Sequence, residues 1–442
     1  MKYFFLILFS ATINFISWNY FGILFIFNLI VLFYIAESIQ NLSFLKKIII
    51  LLSYYICFNI SATFWLFDVD ILDAILSFFS NSLFFLMFSI PLLLKKIKMR
   101  FLWFILFWMI GEIALTKWDL SFPWLNFGNV LGNQWYLIQW YSFFGVYSGS
   151  LWLLLISLVI FKLNKNKKYF LYLILLTALP FLSIFNYLNW NNDIHKNIVE
   201  KYTCYIPQKK YSNYSKTKKL YNYIVKNKID NTIISTELFY TNLYSDYLEN
   251  SDFSLFYKQL LKNNDNLKFI LGTEIINNDT VKFNGISYFS KDYIYFRTKK
   301  KYVPGNEFIT PVLRPVFGKS YYIKNNSDDA SKILNSLNTI PFVCYESIFS
   351  DFVASFNSDK IIVLTSEAFL GDNNFGKRQY QNIQRIRAIE NNRYLLKSSY
   401  NGYSCIINPK GKIIRELKNE FNNISIPTIQ SKTLYQKIIQ LL

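Results

Sequence analysis

Histidine is almost missing from this chain: 442 residues hold one, His195. One histidine with scattered carboxylates gives no metal site, and His195 reads as a solvated residue at a domain junction. Cysteine is scarce too. There are four, one of them (Cys57) inside an apolar run, which argues against a framework stapled by disulfides. Charged residues make up only 17%, against 52% hydrophobic and 20% aromatic, so the chain is too apolar for an ordinary soluble domain and too regular in pattern for disorder. There is no internal repeat, no Pro- or Ser-rich linker, no basic helix and no aromatic-basic motif. The net charge of +19 therefore does not point to nucleic acid, because the lysines are dispersed among Asn, Ile, Tyr and Phe.

What is present is unevenly placed. Residues 1–190 hold long runs nearly free of charge, whereas 191–442 mix Lys, Asp, Asn and Glu with short β-branched segments. Crossing a bilayer takes about 20 apolar residues. Seven segments qualify as candidate spans: Tyr3–Ser17, Tyr20–Ala36, Ile48–Phe67, Ala74–Leu94, Phe101–Leu115, Trp135–Phe161 and Tyr169–Tyr187. The first is short, but no small-residue cleavage site precedes the second, so it is kept as a helix rather than a signal peptide. Lys2, Lys46-Lys47, the Lys95–Arg100 cluster and Lys162–Lys168 all fall on one side of this count. The positive-inside rule puts that side in the cytoplasm, and an odd number of spans puts the rest of the chain across the membrane. Glu112, near the end of the fifth span, is a functional candidate by default, with pairing to Lys117 as the plainer use.

The second part alternates strands with helices. Strands are expected at Tyr202–Ile206, Thr232–Ser235, Phe269–Gly272, Ile286–Phe289, Tyr293–Phe296, Phe342–Cys344, Ile361–Thr365, Tyr394–Lys397, Ser404–Asn408 and Lys412–Glu416. Helices are expected at Tyr214–Lys226, Asp252–Leu261, Asp329–Leu337 and Gln379–Asn391. Such alternation argues a layered α/β domain. The junction, Leu188–Asn197, is short and polar and so holds that domain close to the membrane. The expected division is a bundle of about seven helices over 1–190, a catalytic α/β domain over 191–430 and a C-terminal remnant over 431–442.

Within this domain Phe342-Val-Cys-Tyr-Glu346 is an apolar strand that delivers Cys344 at its end. A cysteine presented there beside polar groups is a candidate nucleophile, and Glu237 and Lys299 lie upstream as a candidate base and cation. The bland alternatives are a small core residue for Cys344 and a helix or turn cap for Glu237. Cys204 and Cys405 also lie on strands but lack the Tyr-Glu sequel, and read as packing residues. Lys299 competes with Lys300 and Lys301, and Lys301 would share its face in an extended strand.

A glutamate near a strand end, a lysine before Val-Pro-x-x-Glu and a Cys-Tyr-Glu strand end, in that order, resemble the nitrilase superfamily. With the apolar helices in front, the chain resembles the apolipoprotein N-acyltransferase family. Phe122-Pro-Trp-Leu is similar to a loop of that family, as are Gln139 with Gly145-Val-Tyr147, Lys299–Glu307, Arg385-x-Arg-Ala-x-Glu390 and Asn401-Gly402. The family's Trp-Pro-Glu-Thr reads Ser235-Thr-Glu-Leu238 here, and its Asn-Asp-x-Trp-Phe-Gly reads Ser366-Glu-Ala-Phe-Leu-Gly371. Thr433–Lys437 is similar to a link into a last transmembrane helix, which the sequence is expected to lack.

The resemblance implies a helical transmembrane bundle followed by a nitrilase-like αββα sandwich. It implies transfer of a fatty acyl chain from a phospholipid to the N-terminal amine of a diacylated lipoprotein, with no cofactor, at the periplasmic face of a bacterial inner membrane. Glu237, Lys299 and Cys344 match the catalytic triad; Phe122, Pro123 and Trp124 are a candidate substrate loop.

The residues support this chemistry on their own terms. A thiol with its usual pKa of about 8.5 needs a base or a positive charge to become thiolate, and Glu237 can supply the base. After attack on an ester, Lys299 and the backbone N–H of Tyr345 can face the oxyanion. The thioester then passes its acyl group to an amine, with Glu307 and Glu346 orienting Lys299 and the nucleophile strand. A phospholipid donor explains the helices, since its acyl chain stays near hydrocarbon while its ester reaches the thiol. The rival readings are a membrane-tethered amidase with water as acceptor and a non-catalytic membrane scaffold.

Overall fold

The computed structural model describes residues 1–118, 121–163, 165–190, 199–244, 252–262, 264–277, 281–305, 307–309, 314, 320–322 and 338–442. His195, most of the expected junction and the expected helix at Asp329–Leu337 lie outside the described residues. The chain forms two units, Met1–Trp190 with Leu370–Glu390, and Asn191–Phe369 with Asn391–Leu442.

The first unit is helical. Apolar runs with few charges produce α1 (Lys2–Asn19), α2 (Phe25–Ser38), α3 (Phe44–Thr63), α4 (Ile71–Phe88), α5 (Arg100–Leu115), α6 (Tyr141–Leu163) and α7 (Tyr169–Leu188), one at each expected span. Among the described residues, four apolar stretches are long enough to cross a membrane by length and composition: Phe44–Asp68, Ile71–Phe88, Tyr141–Leu163 and Tyr169–Leu188. The expected span Trp135–Phe161 is shortened because Phe127–Leu137 forms a 3-10 segment instead.

Neutral polar groups join these helices, bonded to one another as an apolar setting requires. Asn28 of α2 donates to the Ser10 hydroxyl of α1 at 2.8 Å and accepts from the Tyr54 hydroxyl of α3 at 2.6 Å. Asn59 of α3 donates to Ser82 of α4 at 3.0 Å. Glu112 is buried, and neutral donors take the place expected for Lys117: its Oε1 accepts from Trp108 Nε1 at 3.0 Å and from the Phe127 amide at 2.8 Å.

A helix far along the chain completes this unit. Residues up to Glu390 of Asn374–Asn391 group with α1–α7, although the sequence counts that helix in the catalytic stretch. Gln379 shows why it belongs there. Its Oε1 accepts from Trp65 Nε1 at 3.1 Å and Trp124 Nε1 at 2.9 Å, while its Nε2 donates to Asn19 at 3.0 Å and the Ala62 carbonyl at 2.9 Å. At the kink in α6, where Gly145 takes φ 69°, the Val146 amide donates to Glu390 at 2.6 Å and so gains the cap the broken helix needs.

The second unit is two sheets. One contains β1 (Val199–Tyr205), β2 (Thr232–Ile234), β3 (Tyr240–Tyr244), β4 (Lys268–Ile276), β5 (Lys282–Phe289), β6 (Ile294–Thr298) and β12 (Phe421–Pro427), in the order β12-β1-β2-β4-β5-β6 with β3 also pairing β4. The other runs β11-β10-β9-β8-β7, from Ile413–Glu416, Cys405–Ile407, Leu395–Tyr400, Ile361–Ser366 and Pro341–Val343. All ten expected strands are present; β3 and β12 come in addition to them.

The two sheets share one core. Cys204, Ile234, Ile270 and Ile286 of the first meet Val343, Ile362, Leu364 and Leu396 of the second. The opposite face of the first sheet packs Phe269 and Leu271 on α8 (Asn213–Asn227) and α9 (Asp252–Lys262), through Leu220, Ile224, Tyr257 and Leu261. This is an α/β sandwich of the nitrilase type. Cys57, Cys204 and Cys405 are not joined in disulfides, and the last two are buried.

Candidate active site

Glu237, Lys299 and Cys344 all sit at strand ends of the second unit, brought together by the facing sheets. Glu237 follows β2, where Gly272 on the neighbouring β4 leaves room for it. A Cβ at position 272 would lie 2.2 Å from the Thr236 carbonyl oxygen and 2.7 Å from the Glu237 Cα. Leu238, next in the chain, takes φ 50°, a costly conformation for a residue other than glycine.

Lys299 leaves the end of β6 fully buried. Its Nζ contacts Glu237 Oε1 at 2.9 Å and Glu307 Oε1 at 2.7 Å. Burial alone would drive the proton off, but the two carboxylates outweigh it and hold the ammonium well above its usual pKa. Burial pushes the Glu307 carboxyl up, opposed by Lys299. The register is therefore decided by packing. Lys300 gives its amide to Glu346 at 2.6 Å, and Lys301 lies over the Phe349 ring, 4.7 Å from its centre.

Cys344 begins a 3-10 turn, Cys344–Ile348, directly after β7, with φ 43°. A non-glycine residue in this region stores roughly 1–3 kcal/mol of strain and persists only where its surroundings fix it. Glu346 does the fixing. Its carboxylate takes a two-pronged contact from Arg297, at 2.9 and 3.0 Å, and accepts the Val343 amide at 2.8 Å. A sharp turn from strand to helix is the same device that lifts other nucleophiles clear of a sheet. Burial pushes the Cys344 thiol well above its usual pKa; the Glu237 charge adds to this and the Lys299 charge opposes it. The resting sulfur is thus a thiol, and attack has to be coupled to proton removal by a base.

Three contributors lie beyond the sequence reading. Asn284 of β5 donates to Glu237 Oε1 at 2.9 Å, the Ser366 amide donates to its Oε2 at 3.0 Å, and Arg297 grips Glu346. An Asn inside a strand, where that residue is depleted, is a readable signal for the first. Arg297 and Lys299, two apart on one face of a strand, are a readable signal for the third. The candidate loop Phe122-Pro-Trp124 lies in the helical unit, with Pro123 and Trp124 buried and the Trp124 ring stacked on Tyr380, 5.9 Å between centres.

Comparison with known proteins follows this division. Residues 7–159 match the family model for the apolipoprotein N-acyltransferase N-terminal domain, and residues 233–438 match that for carbon-nitrogen hydrolase. The chain belongs to the apolipoprotein N-acyltransferase family. It is similar to the Apolipoprotein N-acyltransferase of Rickettsia bellii, with 42% identity over 103 residues, 22% of this chain and 20% of that one. With the enzyme of the same name from Aquifex aeolicus it shares 34% over 125 residues, 27% of this chain and 28% of that one. With that from Pseudomonas syringae it shares 26% over 167 residues, 36% and 31%. In each pairing the similarity spans less than a third of the relative's length. Together with the four long apolar helices, these bacterial relatives make the chain a bacterial membrane protein.

Proposed function

We propose that this protein is an N-acyltransferase that moves a fatty acyl chain from a phospholipid, through a thioester on Cys344, to the α-amine of an N-terminal diacylglyceryl-cysteine. Residues 1–190 are the membrane bundle and 191–430 the catalytic domain, on the periplasmic face of the inner membrane. Glu237 takes the thiol proton as Cys344 attacks the ester. Lys299 and the Tyr345 amide receive the charge that develops on the carbonyl oxygen, and the lysophospholipid leaves through its glycerol oxygen, which takes up the proton. The incoming amine then attacks the thioester, gives its proton to Glu237 and regenerates the thiol.

Glu307 holds Lys299, Glu346 holds the turn under Cys344, and no cofactor enters the cycle. The observation that carries this reading is the buried Lys299 ammonium, bound at 2.9 Å to Glu237 and 2.7 Å to Glu307 and felt electrostatically by Cys344. Mass spectrometry of a lipoprotein N-terminus, with and without the protein, tests it. A third acyl chain that depends on the protein is expected. Free fatty acid released with no acylated amine would instead mark water as the acceptor.

A further inference from the structure

The strand that supplies the Ser366 amide to the base ends in a second buried charge cluster. Glu367, fully buried, lies 2.5 Å from Lys397 Nζ and accepts the Ser399 hydroxyl at 2.9 Å, both from β9. Its own amide donates to the Tyr400 carbonyl at 2.9 Å. Gly402 leaves the space it needs, since a Cβ there would fall 2.4 Å from the Glu367 carboxyl carbon. Thus the residue directly after Ser366 is fixed by an ion pair, a hydroxyl and a backbone hydrogen bond, all to the same neighbouring strand.

We infer that Glu367, Lys397 and Ser399 are positioning residues for the base: by pinning the end of β8 to β9, they hold the Ser366 N–H on Oε2 of Glu237. Two considerations favour positioning over bulk stability. Burying a carboxylate and an ammonium costs several kcal/mol per ion, and apolar replacements of such pairs are often neutral or stabilising, so the pair adds little net stability. Geometry is the other. Oε1 of Glu237 is shared by Lys299 and Asn284, so the Ser366 amide is what fixes the rotation of the carboxylate about its terminal bond. A few tenths of an ångström lost there moves the oxygen that must meet the thiol proton.

The inference rests on Glu237 acting as base in the proposed acyl transfer, and its test separates the two. Single replacements leave one buried charge unpaired, so the informative variant is the double Glu367→Gln/Lys397→Met, which keeps shape and removes both charges. Single-turnover formation of the Cys344 thioester from a fluorescent phospholipid is measured, with the thermal midpoint in detergent. The double variant is expected to melt near the wild type, to form thioester about tenfold more slowly or worse, and to keep its apparent KM. Lys397→Arg, which restores a cation, should recover most of the rate.

A folded double variant with the wild-type rate, or a loss lying wholly in KM, overturns the inference while leaving the proposed function standing. A wild type that forms no thioester overturns both. Should the double variant fail to fold, Ser399→Ala carries the test through the neutral hydrogen bond alone. A severalfold slower rate at unchanged KM supports positioning, and an unchanged rate overturns it.

Discussion

The junctions among α1–α4 and the strand ends of the α/β unit both bury polar side chains, but bond them differently. Where α1, α2, α3 and α4 meet, the side chains bonded to one another are amides and hydroxyls such as Asn28, Asn59, Tyr54 and Ser82. At the strand ends they are charges, Arg297 with Glu346 and Lys299 between Glu237 and Glu307. A neutral hydrogen bond joins two helices without an ion to desolvate, and no chemistry follows from it. A buried ion pair is costly to build and adds little net stability, but it holds a charge at a fixed point in a low dielectric, which a reaction can use. The neutral junctions suit a scaffold, and the charges at the strand ends suit the proposed acyl transfer.

The sharpest way to break this comparison is to remove one partner from a charged pair. Arg297→Met strands the Glu346 carboxylate in the core and should cost about 3–5 kcal/mol of stability, read from unfolding in detergent. A loss under about 1 kcal/mol would mean that water reaches the pair. Next in size are the acylation variants. Lys299→Met should lose about 2.7–4 kcal/mol of transition-state stabilisation, as removal of one oxyanion donor does. Glu237→Gln should slow thioester formation by roughly a hundredfold or more. Lys301→Met, whose ammonium lies over Phe349, should leave the rate nearly unchanged. A modest stability effect belongs to the other unit. Asn28→Leu removes the bonds to Ser10 and from Tyr54 and should cost about 0.6 kcal/mol for each.

What could be read from sequence follows the same line. Strands and helices are legible where a single period runs long enough, so all ten expected strands appear and each of the seven apolar runs carries a helix. Strand β3 is hidden because its Asn242 takes φ 55° and breaks the alternation, and β12 because Asn422 and Asn423 lower its strand propensity. The candidate residues Glu237, Lys299 and Cys344 are legible from their order and their strand-end positions. Their supports are legible only in part: Asn284 and Arg297 stand out on their strands, but what they and the Ser366 amide hold lies far away in the chain. The same holds for Gln379, expected only as the start of a helix, which accepts from Trp65 and Trp124 far away in the chain.

The central claim is that Cys344 carries the acyl group, and intact-mass spectrometry after incubation with phospholipid tests it most directly. The wild type should gain the mass of one acyl chain, lose it again when an amine acceptor is added, and Cys344→Ala, still folded and membrane-inserted, should gain nothing. An acylated lipoprotein produced by the Cys344→Ala protein at the wild-type rate would contradict the account.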